Sequence, residues 1–496
     1  MDKTNFTEAY EQVLQEDIVA VLPPAVVTLI AQLRDRIEEL EAEVRRLQQQ
    51  AKTDSHTSSK PPSTDQSRRT RQTHSRRTRS GRSPGGQRGH PGNTLVPTDT
   101  PDHIIRHPLT ICPQCGGDLV GVEVEALQHR QVVDLPAIRL DVTEHQAETK
   151  RCPHCHATST AAFPLDVDGP VQYGERLKGL LVYLHQYQLL PYHRSCELIE
   201  DVWGQSVSEG TLANANGQCY ETLAPVEQAI IEYLQAADVV NFDETSLFEQ
   251  GERRWLHSAS TAEVTYYFPH AKRGKDGSDA AGVLPKFHGR AVHDHWPTYQ
   301  TYQEMEHAFC NAHHLRELDR AVEQDDAPWA AKMRDLLCRI KARVEEAKAQ
   351  GLPRLPREET RMFYEWYCSI LFDAYVQEAA DIDEEAQPPP SGKRRKQSKE
   401  HNLRDRLYRD AFETLAFMYD FRVPFDNNLA ERDIRMTKVK QKISGGFRSS
   451  QGLEQFCRIR GFISTLKKQG GNVLEALRAS FQDCDMRQFV RLEVPE

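Results

Sequence analysis

The sequence predicts a multidomain α+β protein: an N-terminal coiled-coil helix, a small zinc-binding domain, a helical segment and a larger domain mixing strands with helices. Three observations carry this. A heptad repeat runs through 26–50, and two C-x-x-C pairs stand at Cys112/Cys115 and Cys152/Cys155. Near residue 238 the pattern then changes from helical periodicity to alternating, strand-like segments.

The heptad comes first. Ile30, Ile37 and Val44 recur every seven residues, and Leu33, Leu40 and Leu47 follow three positions later. β-Branched residues at a and leucine at d favour a parallel two-stranded coil. Three heptads are marginal alone, so a homodimer or higher oligomer supported by other parts of the chain is expected, with a single amphipathic helix as the alternative. Residues 51–105 contain almost no large apolar side chain and read as a flexible arm. Between Lys52 and Arg88 there are ten Lys or Arg against two Asp, which points the arm toward a polyanion despite the net charge of -10. Arg68, Arg69, Arg76 and Arg77 are its candidate phosphate contacts.

The cysteine pairs fall in 106–165, separated by 36 residues that include strand-like VGVEVEAL and AIRLDVTEHQA. Cys112, Cys115, Cys152 and Cys155 at this spacing suit tetrahedral thiolate coordination of zinc. Disulfides are not expected. The chain lacks an 18-residue apolar run and MDKTNFTEAY does not read as a signal peptide, so no membrane and a cytoplasmic location are expected.

Residues 166–235 are predicted helical, and VSEGTLANA, with Ser208 as a cap, resembles the second half of a helix-turn-helix, so this segment reads as a candidate DNA-binding domain or a helical spacer. From 236 to 320 the reading is of strands in DVVNFDETSLF, WLHSAS, VTYYF, GRAVH and HAF, with a helix near 277–284 and another after HAF. Residues 321–420 are predicted helical, including a helix over 401–418, and 421–496 form the remainder of the strand-containing domain with a helical tail.

Within that framework three acids stand out. Asp243 follows the apolar VVNF and Asp294 follows GRAVH, and an acid at the end of a buried strand needs hydrogen bonds or a metal. In FDNNLAERDIRMTKVKQKISGG, a helix is predicted from Asn427 or Asn428 to the glycines, with Asp426 shaping its entrance. Helical spacing puts Glu431 on one face with Arg435, Lys438 and Lys442, and Asp433 opposite. Glu431 is then either a third oxygen ligand for magnesium or manganese, with cations for phosphates beside it, or an i,i+4 partner of Arg435. Arg273, Arg290 and Arg448 are further candidate phosphate contacts and Trp296 and Tyr299 candidate base-stacking groups, with Arg273, Arg290, Trp296 and Tyr299 equally readable as packing groups. Cys310 and His313 form a C-x-x-H element that reads as a packed thiol and a hydrogen-bonded imidazole, or as part of a second metal site.

With these residues in view, the chain resembles the transposases of the IS66 family, bacterial insertion-sequence enzymes with a DDE catalytic domain. The resemblance rests on GGQRGHPGNTL, the two cysteine knuckles, FDET, HDHWPTY, CNAHHLREL and FDNNLAERDIR. It implies an RNase H-like catalytic domain with the triad Asp243, Asp294 and Glu431. A helical insertion would account for the 136 residues between the last two. It also implies divalent-metal-dependent cleavage and strand transfer on double-stranded DNA at element ends and target. Small accessory proteins and a nucleoid-associated bacterial location are part of the same expectation. Two stretches depart from the commonest family pattern: Asp294-His295-Trp296 replaces aspartate–glycine–tyrosine, and VKQKISGGFRS replaces a run of arginine, lysine and asparagine. A nuclease without strand transfer and a non-catalytic zinc DNA-binding protein are the competing readings.

Overall fold

The computed structural model describes residues 95–381 apart from 137 and 165, residues 397–492, and scattered positions between 28 and 44. The arm residues Arg68, Arg69, Arg76 and Arg77, and most of the heptad helix, lie outside the described residues. The described positions from 28 to 44 are helical, and Leu33, Ile37, Leu40 and Val44 are exposed.

The chain divides into two compact units, one comprising essentially 67–163 and the other 164–496 together with the first 66 residues. The smaller unit has one short antiparallel hairpin, β1 (Thr149–Arg151) and β2 (Thr158–Thr160), beside an isolated bridge between Ile111 and Asp118. The strands expected in VGVEVEAL and AIRLDVTEHQA do not form. Their alternating apolar residues, Val122, Val124 and Val142 among them, stay exposed, with no second layer over them among the described residues.

The larger unit is built around a five-stranded sheet. Its strands are β3 (Val239–Glu249), β4 (Glu252–Ser260), β5 (Thr265–His270), β6 (Arg290–His293) and β7 (Glu306–Phe309), in the spatial order β5-β4-β3-β6-β7. The first three pair antiparallel as the alternating segments require, whereas β6 and β7 run parallel to β3. Strand alternation sorts residues between two faces. Val240, Phe242, Tyr266 and Ala291 enter a core shared with α1 (Glu175–Val182), α3 (Glu209–Thr222), α4 (Ala224–Ala236), α13 (Ser450–Lys468) and α14 (Val473–Ala479). Helices α1, α3 and α4 therefore share the core of this sheet. Ser208 does cap α3, accepting the Thr211 N–H at 3.1 Å. The exposed face of α3 carries Glu209, Asn214, Gln218 and Glu221 and no cation, which is poorly suited to phosphates. Helix α2 (Tyr192–Trp203) precedes it.

On the other face, Val292 and Ala308 pack against α6 (Asn311–Gln324), α7 (Pro328–Ala349), α8 (Arg357–Asp381) and α9 (Lys399–Arg409). The helix expected over 401–418 breaks into α9 and two single turns, α10 (Ala411–Thr414) and α11 (Ala416–Tyr419). Asp410 and Leu415 leave helical geometry between them, which lets Leu407, Leu415 and Met418 all reach the same core. Helix α5 (Lys275–Ala280) is shorter than predicted. Among the described residues no helix is long and apolar enough to cross a membrane.

Candidate active site

Register decides where the acids meet. β3 and β6 pair with Val239 opposite Arg290 and Asn241 opposite Val292. Carried on by two residues, the same register puts Asp243 abreast of Asp294, which lies just past the end of β6. The strand end expected at Asp243 is not there: β3 runs on to Glu249 and Asp243 pairs with Ser258, because β4 continues alongside it. Asp243 Oδ1 accepts the Glu244 N–H at 2.9 Å, and Asp294 Oδ1 accepts the Trp296 N–H at 2.9 Å. Each carboxylate is thus held by a backbone N–H one or two residues further along the chain.

The third acid arrives on α12 (Asn428–Ser444), which packs on β3. Asp426 Oδ1 accepts the Asn428 N–H at 3.1 Å, as a helix entrance needs. Asn427 holds the N-cap position, yet its side chain does not cap the helix. Fully buried, its amide donates to the Phe242 carbonyl at 2.8 Å and accepts from Asn241 Nδ2 at 2.8 Å, while its own N–H donates to Cys310 Sγ at 3.1 Å. The residue before the helix is therefore clamped to the strand that carries Asp243, four positions ahead of Glu431. At the far end Gly445 has φ +72°, and Gly446 lies so close to the Phe248 carbonyl that a Cβ there would meet it at 2.8 Å.

The electrostatics follow from this crowding. Burial, then the charges of Glu244, Asp294 and Glu431, push the Asp243 carboxyl well above the usual carboxylate range. The three acids act on one another, yet their oxygens do not gather within 4.8 Å. Glu431 Oε1 is buried without a hydrogen bond, and Oε2 lies 3.9 Å from Arg316.

Glu244, the acid beside Asp243, points to the opposite face of β3 and was not singled out by the sequence. It accepts from Arg273 at 2.6 Å and from the Tyr299 hydroxyl at 2.5 Å. Burial raises its pKa, Asp294 adds to the rise, and Tyr299 and Arg273 oppose it. Arg273 is also sandwiched between Trp296, 3.6 Å from its guanidinium, and Trp255 at 5.0 Å. Its charge is already matched, so it braces the Asp294 loop. Tyr299 is buried against His293 and offers no face for a base.

The other predicted cations separate. Arg290 opens β6 at the end away from Asp294 and pairs with Glu306 at 2.9 Å. Lys438 donates to the Ser246 carbonyl, fastening α12 to β3. Arg435, Lys442 and Arg448 are exposed, and no carboxylate pairs with them among the described residues. The Glu431–Arg435 pair therefore does not form. Asp433 faces away from Glu431, as helical spacing requires, and is buried against Lys468. Arg316, on α6 one turn beyond His313, is a cation near Glu431 that sequence reasoning missed; its spacing within CNAHHLREL was the available signal.

Cys310 is packed as expected, its thiol pushed up to about 12 by burial. The hydrogen bond expected of His313 is missing at Nδ1, which is buried with no partner. In the smaller unit each cysteine pair forms its own knuckle, with the Gly116 N–H donating to the Cys112 carbonyl and the His156 N–H to that of Cys152, both at 2.9 Å. The four thiols are unpaired and do not converge within metal-ligand reach among the described residues.

Comparison with known families adds a second line. A family profile described as "Transposase IS66 family" matches residues 170–455, and one described as "zinc-finger binding domain of transposase IS66" matches 110–156. Residues 12–95 match a family of unknown function, DUF6444. No curated protein matches the chain.

Proposed function

This chain belongs to the IS66 transposase family, and from that premise we propose that Asp243, Asp294 and Glu431 jointly bind magnesium or manganese and direct phosphodiester cleavage and strand transfer at DNA ends. The observation that carries the reading is the crowding of negative charge around Asp243, a partly buried position inside β3 beside the end of β6. Like charges held this way call for a cation, and an all-oxygen donor set suits a hard divalent one. The unpartnered Glu431 Oε1 adds to the fit. Ions bound there would activate a water or 3′-hydroxyl and stabilise the leaving oxygen.

The chain's own residues do the positioning. Backbone N–H groups of Glu244 and Trp296 orient two carboxylates, and the Asn427 clamp delivers the third. Arg316 beside Glu431, with the exposed Arg435, Lys442 and Arg448, would hold and orient the DNA phosphates. The sheet order, with its three antiparallel and two parallel strands, Asp243 inside β3 and Asp294 just past β6, supports an RNase H-like core with α7–α11 as a helical insertion. Cys112, Cys115, Cys152 and Cys155 would bind structural zinc, which draws the two knuckles together. The basic arm at Arg68, Arg69, Arg76 and Arg77 adds phosphate contacts, and the heptad helix supports a homodimer or higher oligomer. Accessory transposition proteins and a bacterial cytoplasmic setting complete the reading.

The test is a reaction of the full chain on labelled element-end DNA and target plasmid with magnesium or manganese. Cleaved and joined products are expected, with joined products separating transposition from simple nuclease action. Asp243→Asn, Asp294→Asn and Glu431→Gln should each lower cleavage by about 10³-fold or more. Full activity of Asp243→Asn would refute the assignment.

A further inference from the structure

Cys310, His313 and Glu431 bring a thiol, an imidazole and a carboxylate to one place. Their ligand atoms all lie within 4.8 Å of one another, the one such group of three among the described residues. Cys310 precedes the first residue of α6, His313 sits in that helix's first turn, and Glu431 reaches across from α12. His313 Nδ1 and Glu431 Oε1 are both buried without a hydrogen bond, although they face each other across 3.9 Å. That gap is too long for a hydrogen bond. Leaving two buried polar atoms unmet is costly, and one atom between them would satisfy both.

We propose that Cys310, His313 and Glu431 form a binding site for a thiophilic divalent cation of the zinc class, distinct from the knuckle cysteines and sharing Glu431 with the acid triad. The site stands on its own three ligands; its consequence for Glu431 rests on the catalytic reading above. Thiolate and imidazole select zinc over magnesium, which prefers oxygen. A tetrahedral ion with N and O bonds of about 2.0–2.2 Å spaces those two ligands about 3.4 Å apart, so a contraction of about half an ångström closes the set. On binding, the S–H bond of Cys310 is replaced by an S–metal bond and its proton leaves to solvent. The Asn427 N–H, already 3.1 Å from that sulfur, supports the thiolate. Three protein ligands leave a fourth position for water or a phosphate oxygen. The ion thereby ties α6 to α12 and holds the glutamate in one orientation.

The test uses the full chain with Cys112, Cys115, Cys152 and Cys155 all changed to Ser, stripped with chelator and then titrated with zinc or cobalt. One equivalent of zinc is expected to remain bound, and cobalt to give a single-thiolate charge-transfer band that zinc displaces. Adding Cys310→Ser should abolish both signals. In the otherwise intact chain, His313→Gln should lower bound zinc by one equivalent, or weaken that equivalent by about 10- to 100-fold. Asp243→Asn should keep this ion while losing cleavage, so a failed catalytic reading appears in the cleavage assay and a failed metal site in the stoichiometry. Absence of bound zinc in the four-serine chain, or an equivalent that survives both Cys310→Ser and His313→Gln, overturns the proposal.

Discussion

Changing Asp433 to Asn should destabilise the catalytic unit by about 3 kcal/mol, even though Asp433 faces away from the candidate metal site. Its Oδ2 lies 2.8 Å from Lys468 Nζ, and the two side chains are only 8% and 11% exposed. Thr265 also donates to Oδ2 at 3.2 Å, and Tyr267 donates to the Asp433 carbonyl at 2.9 Å. Breaking a buried pair from one side costs about 3–5 kcal/mol, because the remaining charge is stranded. Asn preserves shape but not charge. Lys468 would keep the carbonyls of Thr261 at 2.7 Å and Val264 at 2.9 Å, which places the cost at the lower end of that range. Burial already lowers the Lys468 pKa, and Asp433 is the chief influence raising it, so the substitution should lower it further. Urea unfolding at pH 7, followed by tryptophan fluorescence, measures the loss. Pairing Asp433→Leu with Lys468→Met should recover most of it, since an apolar pair avoids the stranded charge. A loss under about 0.5 kcal/mol for Asp433→Asn would refute the claim that this pair anchors α12.

Two further outcomes follow from α12. Asn427→Ala strands the buried Phe242 carbonyl and Asn241 amide, so stability should fall by about 2 kcal/mol. Cleavage should fall by about 10²-fold or more because Glu431 loses its placement; unchanged cleavage in the folded variant would show that the clamp does not position the acid. Lys440 is 6% exposed, with its amine pushed down to about 8 by burial, and His185 nearby is held down to about 4 by burial and then by that charge. Both folded pKa values are depressed. The Lys440 contribution to stability is therefore present above 10.5 and lost as pH falls through about 8; that of His185 is present above 6.5 and lost as pH falls through about 4. At pH 7 Lys440 is a buried cation, and Lys440→Met should stabilise the protein by about 3 kcal/mol and flatten the pH dependence of unfolding between 8 and 10.5. An unchanged slope in that window would count against this account.

Local pattern made much of the architecture legible. Alternation located β3, β4 and β5, because a half-buried strand must alternate whatever it pairs with. The apolar run before Asp294 marked the end of β6, whereas the run before Asp243 marked only the first part of β3, which continues to Glu249. FDNN with SGG bracketed α12 because entrances and exits of helices have local chemistry. Helical angle alone put Asp433 opposite Glu431. The failures were of a different kind. VGVEVEAL alternates well but found no layer to cover it. Arg273 and Arg290 could be read as phosphate contacts or as packing groups, and Lys438 as a phosphate contact; they are matched by Glu244, Glu306 and the Ser246 carbonyl. A surplus charge in sequence is identical to a paired one until its partner is known.

By itself, then, the sequence determined most strand and helix segments of the larger unit, the order of the three acids along the chain and the family, since short-range sterics and motif chemistry are written into neighbouring residues. Only the tertiary structure decided that Asn427 binds β3, 185 residues earlier, that Asp433 anchors α12 to Lys468, and that His313 meets Glu431 with neither atom satisfied. Those contacts join residues brought together by sheet register and helix packing. Burial made each of them consequential, because away from water a polar group needs a specific partner.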